Sequence, residues 1–367
     1  MAAAFALAPF TAWSQPSTPK AETVASGLQQ PWAVAFLPQG RFLVTERAGR
    51  LRVVEPDGRV LAPVQGVPEV ATGGQGGLLD LVTDSAFASN RRLYFCFSEP
   101  GQGGVNSTAL ARARLSDDGR RLEDVRVIFS QRPKIRANLH FGCRIVERRV
   151  GGQPDGTLFL TLGERFSRRD DAQTLDNHHG KVVRVGKDGG VPPDNPFVGR
   201  TDALPEIWSY GHRNSQGATL APDGGFWMHE HGPQGGDEIN LPRPGANHGW
   251  PRVSFGVHYG GNPVGSGSPT EAGLAPPLHH WTPSIAPSGM AFLTSERYGT
   301  AWKGNLFVGS LKFQYLDRIE LKDGQVVAEH KLLEDLGERI RDVRQGPDGL
   351  LYLLTDSPNG RLIRLLP

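Results

Sequence analysis

Hydrophobic and polar positions along the chain repeat in a degenerate unit of two short apolar runs joined by a turn. The turn is Pro-Asp-Gly or a close variant, as at 154–156 and 347–349. The runs have the length of single strands, are bounded by Gly, Pro and Asp, and show no helical period. Six copies occur, at 32–46, 77–99, 141–164, 217–230, 288–310 and 340–355.

Repeats of roughly forty or more residues that are built from short strands indicate propeller blades. We therefore predict an all-β fold, a six-bladed β-propeller with four antiparallel strands in each blade, formed as one domain by residues 22–367. Residues 22–26 are expected to pair with the last strand, at 362–366, and so to close the ring.

The first residues carry a different pattern. Residues 1–14 form an apolar stretch that ends in Ala-Trp-Ser, which is typical of a signal peptide, although the basic residues that usually precede such a stretch are missing. The stretch is too short for a membrane span. Residues 15–21 follow as a Pro/Ser/Thr-rich linker. We expect a periplasmic or secreted protein.

Composition narrows the function classes. The chain of 367 residues has 40 Lys and Arg against 38 Asp and Glu, and no long basic run, which argues against a nucleic-acid partner. With 47 glycines and 29 prolines it has material for many tight turns. Cys96 and Cys143 are the two cysteines; they could form one disulfide or remain two buried thiols.

Polar residues that could take part in binding or catalysis fall near the ends of the predicted strands. Because the functional loops of a propeller collect at one end of its central channel, residues far apart in sequence can meet there. The basic ones among them would be costly to gather unless a strongly anionic ligand neutralised them. The candidates are Gln75, His140, Glu164, Arg213, Asn214, Lys312, Arg339 and Arg341.

Eight segments in register resemble one family, the soluble aldose sugar dehydrogenases that depend on pyrroloquinoline quinone (PQQ), relatives of soluble quinoprotein glucose dehydrogenase. The similarity spans essentially the whole chain after the linker. The segments are Gly-Gly-Gln-Gly-Gly-Leu-Leu at 73–79, Leu-His-Phe-Gly at 139–142, 180–185, Gly-His-Arg-Asn at 211–214, 230–240, Asn-His-Gly-Trp-Pro at 247–251, Ser-Leu-Lys at 310–312 and Arg-Ile-Arg-Asp-Val at 339–343.

The resemblance implies a role for each matching residue. His140 corresponds to the base that removes the proton of the anomeric hydroxyl. The main-chain carbonyls of Gly232 and Pro233 correspond to calcium ligands at the quinone, and Glu238 and His248 to a further calcium site, where His248 replaces the expected tyrosine. The residues that correspond to PQQ ligands are Gln75, Arg213, Asn214, Tyr259, Lys312, Arg339 and Arg341.

The implied reaction is oxidation of an aldose at its anomeric carbon to the lactone, with PQQ and calcium as cofactors and an external electron acceptor. Arginine and lysine suit the three carboxylates of PQQ, and a neutral imidazole suits proton removal, with Glu164 as the group that orients His140. Two other functions stay open. A calcium-dependent lactonase or hydrolase would use carboxylates in the channel, and a non-catalytic propeller would only bind sugar.

Overall fold

The computed structural model describes residues 18–367, so the signal-like segment and residues 15–17 of the linker lie outside it. The described chain forms 23 strands in six sheets. In chain order the strands are β1 (Lys20–Leu28), β2 (Pro31–Phe36), β3 (Phe42–Glu46), β4 (Arg50–Val54), β5 (Leu78–Thr83), β6 (Arg92–Pro100), β7 (Asn106–Leu115), β8 (Leu122–Ser130), β9 (Gly142–Val150), β10 (Gln153–Leu162), β11 (Lys181–Gly186), β12 (Ile207–Tyr210), β13 (Ser215–Leu220), β14 (Phe226–Glu230), β15 (Asp237–Asn240), β16 (His279–Trp281), β17 (Pro287–Phe292), β18 (Leu306–Ser310), β19 (Leu316–Lys322), β20 (Gln325–Leu332), β21 (Ile340–Gln345), β22 (Leu351–Thr355) and β23 (Gly360–Leu366).

Helical structure within residues 18–367 is slight. It consists of helix α1 (Phe87–Asn90) and four 3₁₀ segments, at Pro38–Gly40, Gln102–Gly104, Arg169–Gln173 and Glu334–Leu336. None of these helices has the length and apolar character that a membrane span requires.

The six sheets are the predicted blades. Five have four antiparallel strands: β5–β8, β9–β12, β13–β16, β17–β20, and β21–β23 with β1. The first strands, β2, β5, β9, β13, β17 and β21, contact one another in that order, and β21 contacts β2. Each sequence repeat supplies the two innermost strands of one blade. The prediction of a six-bladed β-propeller is confirmed.

The first blade has three regular strands, β2–β4, and an irregular outer edge. Leu61 N–H donates to the Val53 carbonyl at 2.9 Å and Val64 N–H to the Leu51 carbonyl at 2.8 Å, so this segment still runs antiparallel to β4. Pro63 lies between the two donors and has no N–H, which fits an edge position. The first blade therefore also has four strands, of which the outermost is irregular.

The ring closes as predicted, by pairing β1 with β23. Glu22 lies opposite Arg364 and Thr23 opposite Ile363, and Glu22 Oε2 accepts a hydrogen bond from Arg364 Nη2 at 2.6 Å. Pairing begins at Lys20. The sheet thus includes the last two residues of the segment that we interpreted as a linker.

Two further features join blades to one another. Cys96 in β6 and Cys143 in β9 form a disulfide, with Cα atoms 5.9 Å apart, which decides between the alternatives left open by the sequence. At the ring axis, the buried Arg144 guanidinium donates to Asp342 at 2.8 Å and to the Gln216 carbonyl at 2.7 Å, and lies 4.1 Å from the Trp32 ring centroid. These contacts connect strands β2, β9, β13 and β21 around one buried charge.

Candidate active site

The topology brings nearly all of the predicted residues to one end of the ring. In an antiparallel blade, the loop that precedes the first strand and the loop that joins the second and third strands lie at the same end. Gln75, His140, Arg213 and Arg339 precede first strands, whereas Glu164, Gly232 and Lys312 follow second strands. We call this end the site face.

His140 is held in place by its backbone. It has a left-handed backbone (φ 51°), and its N–H donates to Gln75 Oε1 at 2.8 Å. The Gln75 N–H in turn donates to the Asn138 carbonyl at 2.8 Å. Gly74 makes this close approach possible, because a Cβ atom there would lie 2.4 Å from the Asn138 carbonyl oxygen. The loops before β5 and β9 therefore support each other.

The His140 side chain pairs with a buried carboxylate. Its Nδ1 lies 3.0 Å from Glu164 Oε1, and the two residues are 4% and 1% exposed. Burial lowers the pKa of His140, the Glu164 hydrogen bond raises it, and the charges of Arg213 and Arg165 lower it further. The net direction is downward, so the imidazole is neutral at pH 7 and able to accept a proton.

Arg165 is a site residue that we did not predict from the sequence. It is fully buried, donates to the carbonyls of Leu139 and Ala137 at 3.2 and 2.5 Å, and lies 4.0 Å from the Phe141 ring centroid. Burial lowers its pKa to about 10. Its guanidinium fixes the loop that carries His140. The only sequence signal was its position next to Glu164.

Arg213 lies at the wall of a cleft on the site face. It is 3% exposed, and its Nη1 donates to the Gly232 carbonyl at 2.8 Å while its Nη2 donates to the Tyr259 hydroxyl at 3.3 Å. Its buried Nε has no hydrogen-bond partner within residues 18–367. The cleft measures about 350 Å³ and is lined by residues that include Glu164, Phe166, Arg213, Pro233, Trp250 and Tyr259.

Tyr259 reaches this cleft from a long insertion. It belongs to residues 241–278, between β15 and β16, and Val257 pairs with Gln234 to hold the insertion against the site face. Asn214 instead faces the neighbouring loop. Its Oδ1 accepts from the N–H of Gly142, two residues after His140, at 3.2 Å.

The remaining cations form a second group. Arg339 Nη2 and Arg341 Nη2 both donate to Asp356 Oδ2, at 3.0 and 2.8 Å, and Arg339 Nη1 donates to the Leu311 carbonyl at 3.1 Å, next to Lys312. Arg341 is buried, and its Nε has no partner in the described chain. Asp356 is thus a built-in counter-ion that the sequence did not suggest. Lys312 is exposed, and its Nζ lies 5.0 Å from the Phe313 ring centroid.

Asp237 links the two groups of cations. Its Oδ1 accepts from Gly232 N–H at 2.8 Å, and its Oδ2 accepts from Ala286 N–H at 2.9 Å. The Ala286 carbonyl then accepts from Leu311 N–H at 3.1 Å. A continuous arc of contacts therefore runs along the site face from the Arg213 cleft to the Asp356 group.

The predicted calcium ligands lie in two places. Gly232 and Pro233 are at the cleft, whereas Glu238 and His248 lie behind it, each hydrogen-bonded to Asn240, at 3.3 and 3.2 Å. Burial and the charge of Glu230 raise the pKa of Glu238 to about 8. The His248 ring stacks on His212 with centroids 4.6 Å apart. Residues 18–367 contain no group of three or more His, Cys, Asp or Glu side chains spaced to hold a metal ion.

Fold and site together define a β-propeller that carries a carboxylate-paired histidine and a polar cleft at one mouth. Comparison with known proteins gives the family. The sequence model of the glucose/sorbosone dehydrogenase family matches residues 28–364, and the chain therefore belongs to that family.

Individual relatives cover nearly all of the chain. Aldose sugar dehydrogenase YliI of Escherichia coli is 43% identical over 359 residues, which are 97% of this chain and 95% of that protein. The crystal structure of the E. coli soluble aldose sugar dehydrogenase in its apo-form has a TM-score of 0.90 at 42% identity and covers 95% of this chain and 100% of that one. The PQQ-bound aldose sugar dehydrogenase of Streptomyces coelicolor has a TM-score of 0.77 at 28% identity, with 96% and 99% covered.

Proposed function

We propose that the protein is a PQQ- and calcium-dependent aldose dehydrogenase that oxidises the anomeric carbon of a sugar to the lactone. The observation that carries the proposal is the His140–Glu164 pair. The Nδ1 of His140 lies 3.0 Å from the buried carboxylate of Glu164. The Nε2 of His140 makes no hydrogen bond within residues 18–367. A neutral imidazole oriented in this way is suited to accept a hydroxyl proton.

The residues on the site face fit an anionic, planar cofactor. The buried Nε atoms of Arg213 and Arg341 lack partners in the described chain, and such donors favour a carboxylate ligand. The PQQ-bound structure of a relative supports the same assignment. The residues that would hold PQQ are Gln75, Arg213, Asn214, Tyr259, Lys312, Arg339 and Arg341.

When bound, PQQ supplies the acceptor for the hydride that leaves the anomeric carbon. The chain's own residues do the rest. His140 Nε2 takes the proton of the anomeric hydroxyl, and the Glu164 carboxylate stabilises the imidazolium through its Nδ1–H. Arg165 and Gln75 keep the ring in position through the loop backbone. Trp250 and Tyr259 line the cleft next to Arg213.

For calcium, the carbonyl oxygens of Gly232 and Pro233 are the donors that the proposal places beside the cofactor. Such hard oxygen donors are those that Ca²⁺ prefers. The Glu238 carboxylate is the donor proposed for the second calcium. The His248 Nδ1 is hydrogen-bonded to Asn240, and its Nε2 has no partner within residues 18–367. Because Ca²⁺ prefers hard oxygen donors to an imidazole, the main-chain carbonyl of His248 is the group that would serve.

A periplasmic or secreted location is part of the proposal. The Cys96–Cys143 disulfide supports it, because disulfides persist mainly in oxidising compartments. The apolar segment at residues 1–14 supports it from the sequence.

Reconstitution tests the proposal. Apo protein should gain dye-linked aldose oxidation when PQQ and Ca²⁺ are added together, and chelation before loading should prevent the gain. Activity supported by NAD or a flavin would overturn it. Lactone hydrolysis without PQQ would indicate the hydrolase, and sugar binding without reduction of added PQQ would indicate the binding protein.

A further inference from the structure

A second groove lies on the site face, at the outer strands of the fourth and fifth blades. It measures about 470 Å³, within the range of small-molecule sites, roughly 300–1,000 Å³. None of the residues predicted from the sequence lines it. The lining residues that matter for its chemistry are Thr282, Phe313, Tyr315, Glu329, Lys331 and Glu334.

The groove presents an exposed aromatic ring. Phe313 is 45% exposed, and its ring lies within 5° of parallel to that of Tyr315, with centroids 6.4 Å apart. Tyr315 is buried, and the Lys331 ammonium lies 5.3 Å from its ring centroid. The two rings thus form a platform of which the Phe313 end is open to a ligand. Flat apolar faces, such as the C–H face of a pyranose, stack on rings of this kind.

The polar groups of the groove have mixed charge. Glu329 accepts from Trp281 Nε1 at 3.0 Å and is therefore fixed in orientation, whereas Lys331 and Glu334 are exposed. Carboxylates and an ammonium that line the same groove favour neither an anion nor a cation. They suit a neutral ligand with many hydroxyls, which can both donate and accept hydrogen bonds.

The groove adjoins the cleft across a single loop. Pro233 lines the cleft, and three residues later Gly236 N–H donates to Thr282 Oγ1, in the groove, at 3.2 Å. On the other side, Lys312 N–H donates to the Ile285 carbonyl at 3.1 Å, and Phe313 follows directly in the chain. A chain of linked sugar rings that starts in the cleft can therefore continue into the groove.

We propose that this groove is a subsite for the second and third hexose units of a linear oligosaccharide whose reducing end occupies the cleft. The inference rests on the proposed function and names its substrate class: short reducing oligosaccharides are better substrates than the free monosaccharide, and Phe313 is the residue that selects for them.

Competing kinetics of the reconstituted protein test this. The quantity is the ratio of kcat/KM for maltotriose or cellotriose to kcat/KM for glucose, because the ratio is independent of how much protein is loaded with cofactor. We expect a ratio above one in the parent protein for at least one trisaccharide. Phe313→Ala should reduce it by about three- to tenfold, the worth of one aromatic stacking contact. Val327→Ala is the matched control, since Val327 is 52% exposed on the same blade, in β20, outside the groove.

The outcomes separate the two proposals. A ratio that Phe313→Ala leaves unchanged, or a parent protein that prefers glucose to both trisaccharides, would overturn the subsite. Should no sugar be oxidised at all, the proposed function fails. Calorimetric titration of the apo protein with both trisaccharides then tests whether the groove binds an oligosaccharide. Binding that Phe313→Ala weakens and Val327→Ala does not would support it, and equal or absent binding would overturn it.

Discussion

His140 is surrounded by four charged or titratable neighbours that come from three loops: Glu164 and Arg165 from one, Arg213 from the second and His231 from the third. Three of them can carry positive charge, and only Glu164 is acidic. With burial added, the balance keeps the imidazole neutral. This is the state that a base needs, and it is why single substitutions in this group should change the pH dependence of the reaction as well as its rate.

We expect His140→Gln to slow sugar-dependent reduction of the PQQ-loaded protein by about 10²- to 10⁴-fold, the usual worth of a positioned base. Because the neutral imidazole is the active form and its pKa is lowered, kcat/KM of the parent protein should fall only as pH drops below about 6.5. Stopped-flow reduction across pH measures both effects. His330→Gln, a substitution on β20, is the control, and a His140→Gln protein of normal rate would remove His140 from the mechanism.

Glu164→Gln should act through His140. The carboxylate raises the pKa of the imidazole, so its removal leaves burial, Arg213 and Arg165 to lower that pKa further. The acid limb should therefore move to lower pH, while the plateau rate falls by roughly 10- to 10³-fold because the imidazolium has lost its partner. The same pH series reports both. An acid limb that stays in place or moves to higher pH would show that Glu164 does not face the base as described.

At the scale of elements, the loops before β19 and β21 carry the cations of the second group. Lys312→Ala and Arg339→Ala should each weaken PQQ binding by about 1.5–3 kcal/mol, the value of a charged hydrogen bond. Equilibrium titration of the apo proteins with PQQ measures this without turnover. Lys303→Ala is the control, because Lys303 pairs with Glu296 in the loop between β17 and β18, at the opposite end of the ring. Unchanged affinity in both variants would place the cofactor elsewhere.

The sequence predicted the elements better than it predicted their connections. The six repeats lie on the two innermost strands of each blade because turns and apolar runs are local signals. Arg165, Asp237 and Asp356 were missed because their roles depend on partners in other loops, which only the folded blades bring near. Arg165, for example, binds carbonyls 26 and 28 residues away, and Asp237 binds Ala286, 49 residues away.

At the scale of the whole molecule, Arg144 joins blades through the axis. Arg144→Met should destabilise the protein by about 3–5 kcal/mol, because Asp80 and Asp342 remain buried with less compensation. Thermal or denaturant unfolding followed by circular dichroism measures this. Arg149→Met, on the exposed part of the same strand β9, should change stability by less than about 0.5 kcal/mol. If Arg144→Met lowered the free energy of unfolding no more than this control does, the axial charges would not hold the blades together.

The pairing of β1 with β23 has a consequence for biosynthesis. During translation β1 emerges before every other strand of the propeller and its partner emerges last, so the sixth blade cannot be completed on the ribosome until the end of the chain is released. A chain cut short before Gly360 would leave two unpaired strand edges, β1 and β22, each of which can recruit another polypeptide. The closing sheet therefore distinguishes full-length from truncated chains. A full-length chain pairs both strand edges, whereas a truncated chain exposes them to chaperones, proteases and aggregation.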